Sequence, residues 1–516
     1  VNSQKTYWKT AVFTLLLTIG FFMVFKKILP EKIFPETAAV DEEHQAVDEW
    51  MKSAIEEEKQ IDSVEIKTEK QEKKQTEKIK DSLEKTELNL APEEPKIVET
   101  KTEDLEKDTY LEFFYESLAL LEGNPENEKV RIAYFGDSMT DGDLIVQDIR
   151  RKFQEKYGGR GVGFVPIVSE SANSRASITH RFSKDWKTYS FMKKYEKDFP
   201  FGITGMVFYA EDSLKPQVRY SSGVNAGNNL LPNPVLYYGK SANDSAEIKM
   251  TTLKDTTFFK LKSKEKLNKL ALSDAILSSF ELEFNQADSI PFYGVNFDIP
   301  TGIQVDNFSN RGNSGLPITQ LKKDLMNAFQ QELNYDLIVL HFGTNVLNSD
   351  SFQYGWYNAR MKNVISYVRK LFPKSSVLVV SIADKAKKYE NKMQTDSAVN
   401  YLLAAQKSFA ETEKTGFINL YALMGGENSM VKWVEEEPQK ANKDYTHFNP
   451  VGAREIAELI YENIEKGFEE YKLKQEKLKK EKQKLEKQKK DSILQEKQRI
   501  EKENKLEKDS IDVENS

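Results

Sequence analysis

Four short, mostly apolar runs set the terms for the middle of this chain: VRIAYF at 130–135, DLIVLHF at 336–342, SVLVVSI at 376–382 and GFINL at 416–420. A strand that is apolar on both faces must be covered on both faces, which is the situation of a strand inside a parallel sheet. Helical patterns separate the runs, at 111–121, 144–157, 318–332, 356–371 and about 395–413. Within 356–371, Met361, Val364, Ile365 and Val368 share one face. Strands alternating with helices in this way predict a doubly wound parallel α/β sheet.

That rhythm breaks between the first run and the second. From about 184 to 300 the chain offers GMVFYA, QVRYS, PVLYYG, AEIKMT, TFFKLK and FELEF, punctuated by Gly, Pro, Asn and Asp. Short alternating runs with such punctuation predict an antiparallel, sandwich-like all-β domain. Since βα units flank it, it is an insert over 185–302, with the chain re-entering the α/β sheet near Ile303. Tyr209, Tyr220, Tyr237 and Tyr238 have two readings there, stacking on sugars at the surface or filling the sandwich core.

The ends differ from the middle. Charged residues make up 30% of the chain and apolar ones 39%, and the polar excess lies at the two termini. Residues 10–25 (TAVFTLLLTIGFFMVF) are apolar, flanked by Lys5, Lys9, Lys26 and Lys27, and with Ile28 and Leu29 approach the length a bilayer needs. Two lysines stand where a cleavage site would be, which favours an uncleaved anchor over a signal peptide. The expected order is a tail at 1–9, a transmembrane helix at 10–29, a charged linker at 30–108 and the α/β body at 109–184 and 303–466. A charged segment at 467–516 completes it. The linker is too polar to bury a core, and reads as a solvated helix or a disordered tether. The last segment, with sparse Leu473, Leu478 and Leu485, reads as a solvated helix or a coiled coil that serves self-association or an envelope partner. A membrane-anchored body outside the cytoplasm, in the periplasm or its equivalent, follows from this order.

Composition removes several function classes. With no cysteine, there is no thiolate nucleophile, no disulfide and no Cys-ligated zinc. The 75 basic and 82 acidic residues are interleaved without a basic face, which excludes a nucleic-acid partner. No metal-ligand cluster, phosphate loop or dinucleotide fingerprint is visible, so no metal and no cofactor is expected. Histidine occurs at 44, 180, 341 and 447 only, so a histidine base has few candidates.

Active sites in open parallel sheets lie beyond the carboxyl ends of the strands. Ser138 follows the first apolar run, Gly343 and Asn345 follow the second, and His447 precedes the last helix, for which Asn449 is a natural N-cap and Pro450 a natural first residue. Four motifs stand in order: FGDSMTDGD at 135–143, NRGNSG at 310–315, FGTN at 342–345 and DYTH at 444–447. Together they resemble the serine, glycine, asparagine and Asp-x-x-His blocks of the SGNH (GDSL-like) hydrolases. GGRGVGFVP at 158–166, LYALMGGENSMVKWV at 420–434 and the β insert resemble the peptidoglycan O-acetylesterase-like subgroup. Met139 stands where the family usually has Leu, and Val346 where an acidic residue is common; neither position supplies a catalytic atom.

The resemblance implies a flavodoxin-like, three-layer fold and a cofactor-free serine esterase. Ser138 would be the nucleophile, His447 its base and Asp444 the carboxylate that orients the imidazole. The oxyanion would be held by the backbone N–H groups of Ser138 and Gly315 and by the side chain of Asn345. Asp137 supports the turn, and His341, along a buried strand, reads as a core or pocket-wall histidine. The substrate implied is an acylated, specifically O-acetylated, glycan of the cell envelope such as peptidoglycan. An O-acyltransferase with the same triad and a non-catalytic envelope scaffold are the alternatives; intact Ser138, Asn345, Asp444 and His447 count against the scaffold.

Overall fold

The computed structural model describes residues 48–56, 110–211, 215–223, 231–349 and 352–514. The expected anchor at 10–29 lies outside these residues, as do the tail and most of the linker. Among the described residues no helix is long and apolar enough to cross a membrane.

Five parallel strands form the centre: β1 (Lys129–Gly136), β2 (Gly302–Asn307), β3 (Leu337–His341), β4 (Ser376–Val380) and β5 (Gly416–Ile418), in the order β2-β1-β3-β4-β5. Their apolar runs supply both faces. Ala133, Phe135, Ile338, Leu340, Val377 and Val379 enter one buried cluster, to which α4 (Lys323–Leu333), α5 (Gly355–Leu371) and α6 (Val399–Thr412) contribute. Ile132, Tyr134, Leu337, Val339, Leu378 and Val380 enter a second, shared with α2 (Glu112–Gly123), α3 (Val146–Tyr157) and the start of α7 (Pro450–Glu514). The period-2 alternation of the strands thus divides the core into two layers. The strand order reverses between β1 and β3, and their carboxyl ends flank the crevice in which open α/β sheets bind ligands.

Antiparallel strands fill the interruption, and they begin earlier than the expected boundary. Gly163–Pro166 pairs with Phe292–Phe297, and Ile178–Phe182 joins the sheet that contains Gln217–Ser222, Glu247–Thr252, Thr256–Lys260 and Ser279–Asn285. Ser279–Asn285 alternates strictly between buried and half-buried positions. Its Phe280, Leu282 and Phe284 share a core with Phe208, Leu236, Phe292 and Val295 of the other large antiparallel sheet. That second sheet also packs against the α/β half, where Phe329 of α4 meets Tyr237 and Tyr293 at ring distances of 6.1 and 5.5 Å. Tyr220 and Tyr238 are buried in the sandwich core, as the core-filling reading expects, whereas the buried Tyr237 faces the α/β half and Tyr209 is half-buried; surface sugar stacking does not hold for the three buried rings.

Two findings change the picture of the arms. Residues 49–56 form a helix, α1, whose Met51 and Ala54 are buried in the first cluster, so this stretch of the linker does join the core. The signal was present as Trp50, Met51, Ala54 and Ile55 at helical spacing, but the surrounding Glu and Lys masked it. The C-terminal segment is the continuation of α7, a single helix of 65 residues whose last contacts with the body are made by Tyr471, Lys472 and Lys474; Leu473, Leu478 and Leu485 are exposed.

Candidate active site

The serine block turns sharply as β1 ends. A side chain at Gly136 would run into Thr140, whose Oγ1 would stand 2.1 Å from the added Cβ, so the turn requires glycine there. Asp137 is buried and its Oδ1 accepts the Met139 N–H at 2.9 Å, which agrees with a supporting role in the turn. Burial pushes the Asp137 carboxyl up to about 6. Below the turn, Asp143 accepts two hydrogen bonds from Arg150 and one each from Arg175 and Ser177. Burial opposes charge on Asp143, but the two guanidinium groups outweigh it and hold the carboxyl far below its ordinary range. Thr140 and Ser309 hydroxyls meet at 2.7 Å, and Arg311 Nε reaches Asp141 Oδ2 at 3.1 Å. These contacts fasten the serine block to the glycine block.

His447 comes from the turn before α7. Asn449 Oδ1 accepts the N–H groups of Val451 and Gly452, so it caps the helix as its position suggested. Trp433 packs on Phe448 at 5.5 Å behind the turn. Ser138 Oγ lies 3.0 Å from His447 Nε2, and His447 Nδ1 lies 2.8 Å from Asp444 Oδ2. Asp444 Oδ1 accepts the backbone N–H groups of Thr446 and His447, each at 3.0 Å. Partial burial works against the Asp444 charge, and the hydrogen bonds from His447 and Thr446 prevail, leaving its carboxyl below the usual range. Such a chain lets a serine hydroxyl hand its proton to an imidazole whose tautomer is fixed from behind.

The asparagine block follows β3. Asn345 is buried, and its Nδ2 donates to the Asn313 backbone oxygen at 3.3 Å. Gly315 has φ +91°, and a Cβ there would meet the Phe342 ring at 2.8 Å, so both conformation and space demand glycine. Its N–H donates to Asn313 Oδ1 at 2.8 Å. Of the three expected oxyanion donors, Gly315 is therefore engaged by a neighbour that sequence reasoning did not single out. Asn313 is fully buried, and its Nδ2 has no partner.

The other histidines stand apart from this chain of contacts. His341 is buried with Nδ1 2.8 Å from the Tyr134 hydroxyl, and burial pushes it down to about 4. His180 stacks on Tyr220 in the antiparallel core, and burial lowers it to about 3. Lys385, just beyond β4, also escaped notice. Burial lowers its ammonium, and Asp396, Asp444 and Asp137 act on it electrostatically in the opposite sense.

Beside the serine block a cleft of 390 Å³ runs between Asp141, Arg311, Thr188, Lys193 and Tyr195, with Lys52 of α1 on one wall. A larger cavity of 530 Å³ lies by Lys129 and Arg131, at the opposite end of β1 from Ser138. Ligands enter such sheets at the carboxyl ends, so the cleft is the one placed for chemistry. Among the described residues no group of three or more His, Asp or Glu is set to hold a metal ion.

The structure matches that of a peptidoglycan O-acetylesterase with a TM-score of 0.57 and 18% sequence identity, over 69% of this chain and 96% of that one. The chain has the SGNH hydrolase fold. A family two carbohydrate esterase from Cellvibrio japonicus is also similar, at 7% identity, TM-score 0.24, 57% of this chain and 99% of that one. So is a catalytic mutant of an acetylxylan esterase from Geobacillus stearothermophilus, at 16% identity, TM-score 0.23, 32% and 73%. No protein-family model matches the sequence, nor does any curated protein. The antiparallel sheets are an addition to the five-stranded SGNH core. On that core Ser138 follows β1 and Asn345 follows β3, on the two sides of the switch point.

Proposed function

We propose that this chain is a serine esterase that removes acyl groups, specifically O-acetyl, from a cell-envelope polysaccharide such as peptidoglycan. The observation that carries the reading is the chain of contacts from Ser138 through His447 to Asp444, at 3.0 and 2.8 Å. Ser138 Oγ attacks the ester carbonyl carbon while His447 Nε2 takes its proton. The tetrahedral oxyanion accepts hydrogen bonds from Ser138 N–H, from Asn345 Nδ2 and from Gly315 N–H, for which it competes with the Asn313 carboxamide. One such donor contributes about 3 kcal/mol to the transition state. Collapse breaks the ester C–O bond, and the sugar oxygen leaves with the proton from His447. Water, deprotonated by the same imidazole, then releases acetate and regenerates Ser138.

Two further observations favour a glycan. The cleft along Asp141, Asn310 and Arg311 of the serine and glycine blocks is lined mainly by polar and charged side chains, with Tyr195 among them, a lining suited to a sugar chain. The matching structure with a TM-score of 0.57 is that of an enzyme that acts on peptidoglycan. The apolar stretch at 10–29 would hold the enzyme at the membrane with its body outside the cytoplasm, where such polymers lie. In that case the full chain stays in membranes through a carbonate wash, and removal of residues 1–30 releases an active soluble body. Recovery of the full chain in the carbonate supernatant would refute the anchor.

The deciding assay is hydrolysis of a short-chain aryl acetate by the full chain, with Ser138→Ala as control. Activity that survives the substitution would overturn the assignment. The same assay with a glycan acceptor present distinguishes water from a sugar hydroxyl as the second nucleophile; acetyl recovered on the acceptor would make the chain a transferase.

A further inference from the structure

We propose that Asp48, carried by the docked segment of the acidic N-terminal arm, is a positioning residue for the oxyanion loop. This rests on the reading of Gly315 as an oxyanion donor. Asp48 is 2% exposed. One of its carboxylate oxygens, Oδ1, accepts the Met51 N–H at 2.7 Å and so caps α1. The other, Oδ2, accepts the Ser314 N–H at 2.7 Å, across 266 positions of sequence. The Asp48 backbone N–H in turn donates to the Gly312 oxygen at 3.3 Å. Asp48 thus grips the glycine block on both sides of Asn313, immediately before Gly315.

Burying a carboxylate is costly unless its oxygens are hydrogen-bonded, and here both accept from backbone amides. The rest of α1 ties the grip to the antiparallel region. Trp50 Nε1 donates to the Phe191 oxygen at 2.8 Å, Glu49 N–H donates to the Met192 oxygen at 3.0 Å, and Lys194 lies over the Trp50 ring at 4.9 Å. On its other side Ser314 is held through its oxygen, which accepts from the Tyr357 hydroxyl at 2.9 Å. Residues 308–314 belong to no strand or helix, so these side-chain contacts fix where the Gly315 N–H stands. An oxyanion donor works only when it is fixed before the charge develops. A segment of the arm therefore completes the catalytic loop from outside the α/β body.

The test compares the full chain with Asp48→Ala and Met51→Asp, which undocks the same helix by burying a charge; Ser138→Ala is the control. We expect both variants to lower kcat on an aryl acetate by on the order of ten- to a hundredfold, with KM changed less than twofold, since a misplaced group costs rate rather than binding of a small ester. Hydrogen exchange at the Ser314 amide should accelerate at least tenfold in both. That readout reports the contact whether or not the chain hydrolyses anything. Unchanged exchange overturns the inference outright. Faster exchange with an unchanged, Ser138-dependent kcat also overturns it, by making Asp48 merely structural. Activity that ignores Ser138→Ala sinks the esterase reading instead, and the positioning role falls with it.

Discussion

Replacing Asp444 by Asn separates a catalytic carboxylate from a surface ion pair. The side chains of Asp444 and His447 are 31% and 24% exposed, and their contact has the geometry of an ordinary salt bridge. If it were only that, its loss would cost about 0–1 kcal/mol, at most a fewfold in any rate. The substitution is nearly isosteric. Asn Oδ1 can still accept the Thr446 and His447 backbone N–H groups, so the turn survives. The new NH₂ replaces Oδ2 opposite Nδ1, and it can only donate. Nδ1 must then be the acceptor, the ring proton moves to Nε2, and the nitrogen 3.0 Å from Ser138 Oγ has no lone pair left for the serine proton. Loss of the base in this way costs on the order of 10³–10⁴ in rate, equivalent to about 4–5.5 kcal/mol. The assay is kcat for aryl acetate hydrolysis, with urea denaturation showing that stability has moved by less than about 1 kcal/mol. A loss smaller than tenfold would refute the tautomer argument.

Three other outcomes follow from the same geometry. Ser138→Ala and His447→Ala should each lower kcat by on the order of 10⁴ or more, and Asn345→Ala by about 10²–10³, measured on the same ester. Gly315→Ala should both destabilise the fold and abolish most activity, because the added Cβ meets Phe342 at φ +91°; a Tm and kcat equal to the parent's would refute this. Asp143→Asn should cost about 3–5 kcal/mol in urea denaturation, since it leaves Arg150 and Arg175 buried without their carboxylate. The folded carboxyl of Asp143 titrates below its unfolded value, so its contribution is complete above about pH 4 and is lost as the pH falls further. The gap between parent and variant should therefore narrow on acidification, and a gap that widens would refute the account.

The central sheet was legible because its strands are short runs apolar on both faces that alternate with amphipathic helices. The edge strand β2 was visible only as a point of re-entry, since Gln304 and Asp306 interrupt it. Both are buried, and Asp306 Oδ2 accepts from Arg131 Nε of the neighbouring strand at 2.7 Å. Polar residues that satisfy each other look, in a sequence, like residues that face water. The same applies to Asp48, whose partner lies 266 positions away. The residues of the Ser138–His447–Asp444 chain were nameable because short motifs carry them, one at the end of β1 and one in the turn before α7. Asn313 was not, since its engagement of Gly315 depends on a rotamer. The β region also begins before the expected boundary at 185, since Gly163–Pro166 pairs with Phe292–Phe297 of the insert.

His447 stands three residues before the first residue of α7, so its imidazole is mounted at the root of a rod. At 1.5 Å per residue the 65 residues of that helix measure roughly 98 Å, and the part beyond Lys474 alone spans roughly 60 Å. The helix is therefore a ruler as well as a scaffold. Whatever grips its far tip holds the Ser138–His447–Asp444 cluster at a set standoff of roughly 98 Å.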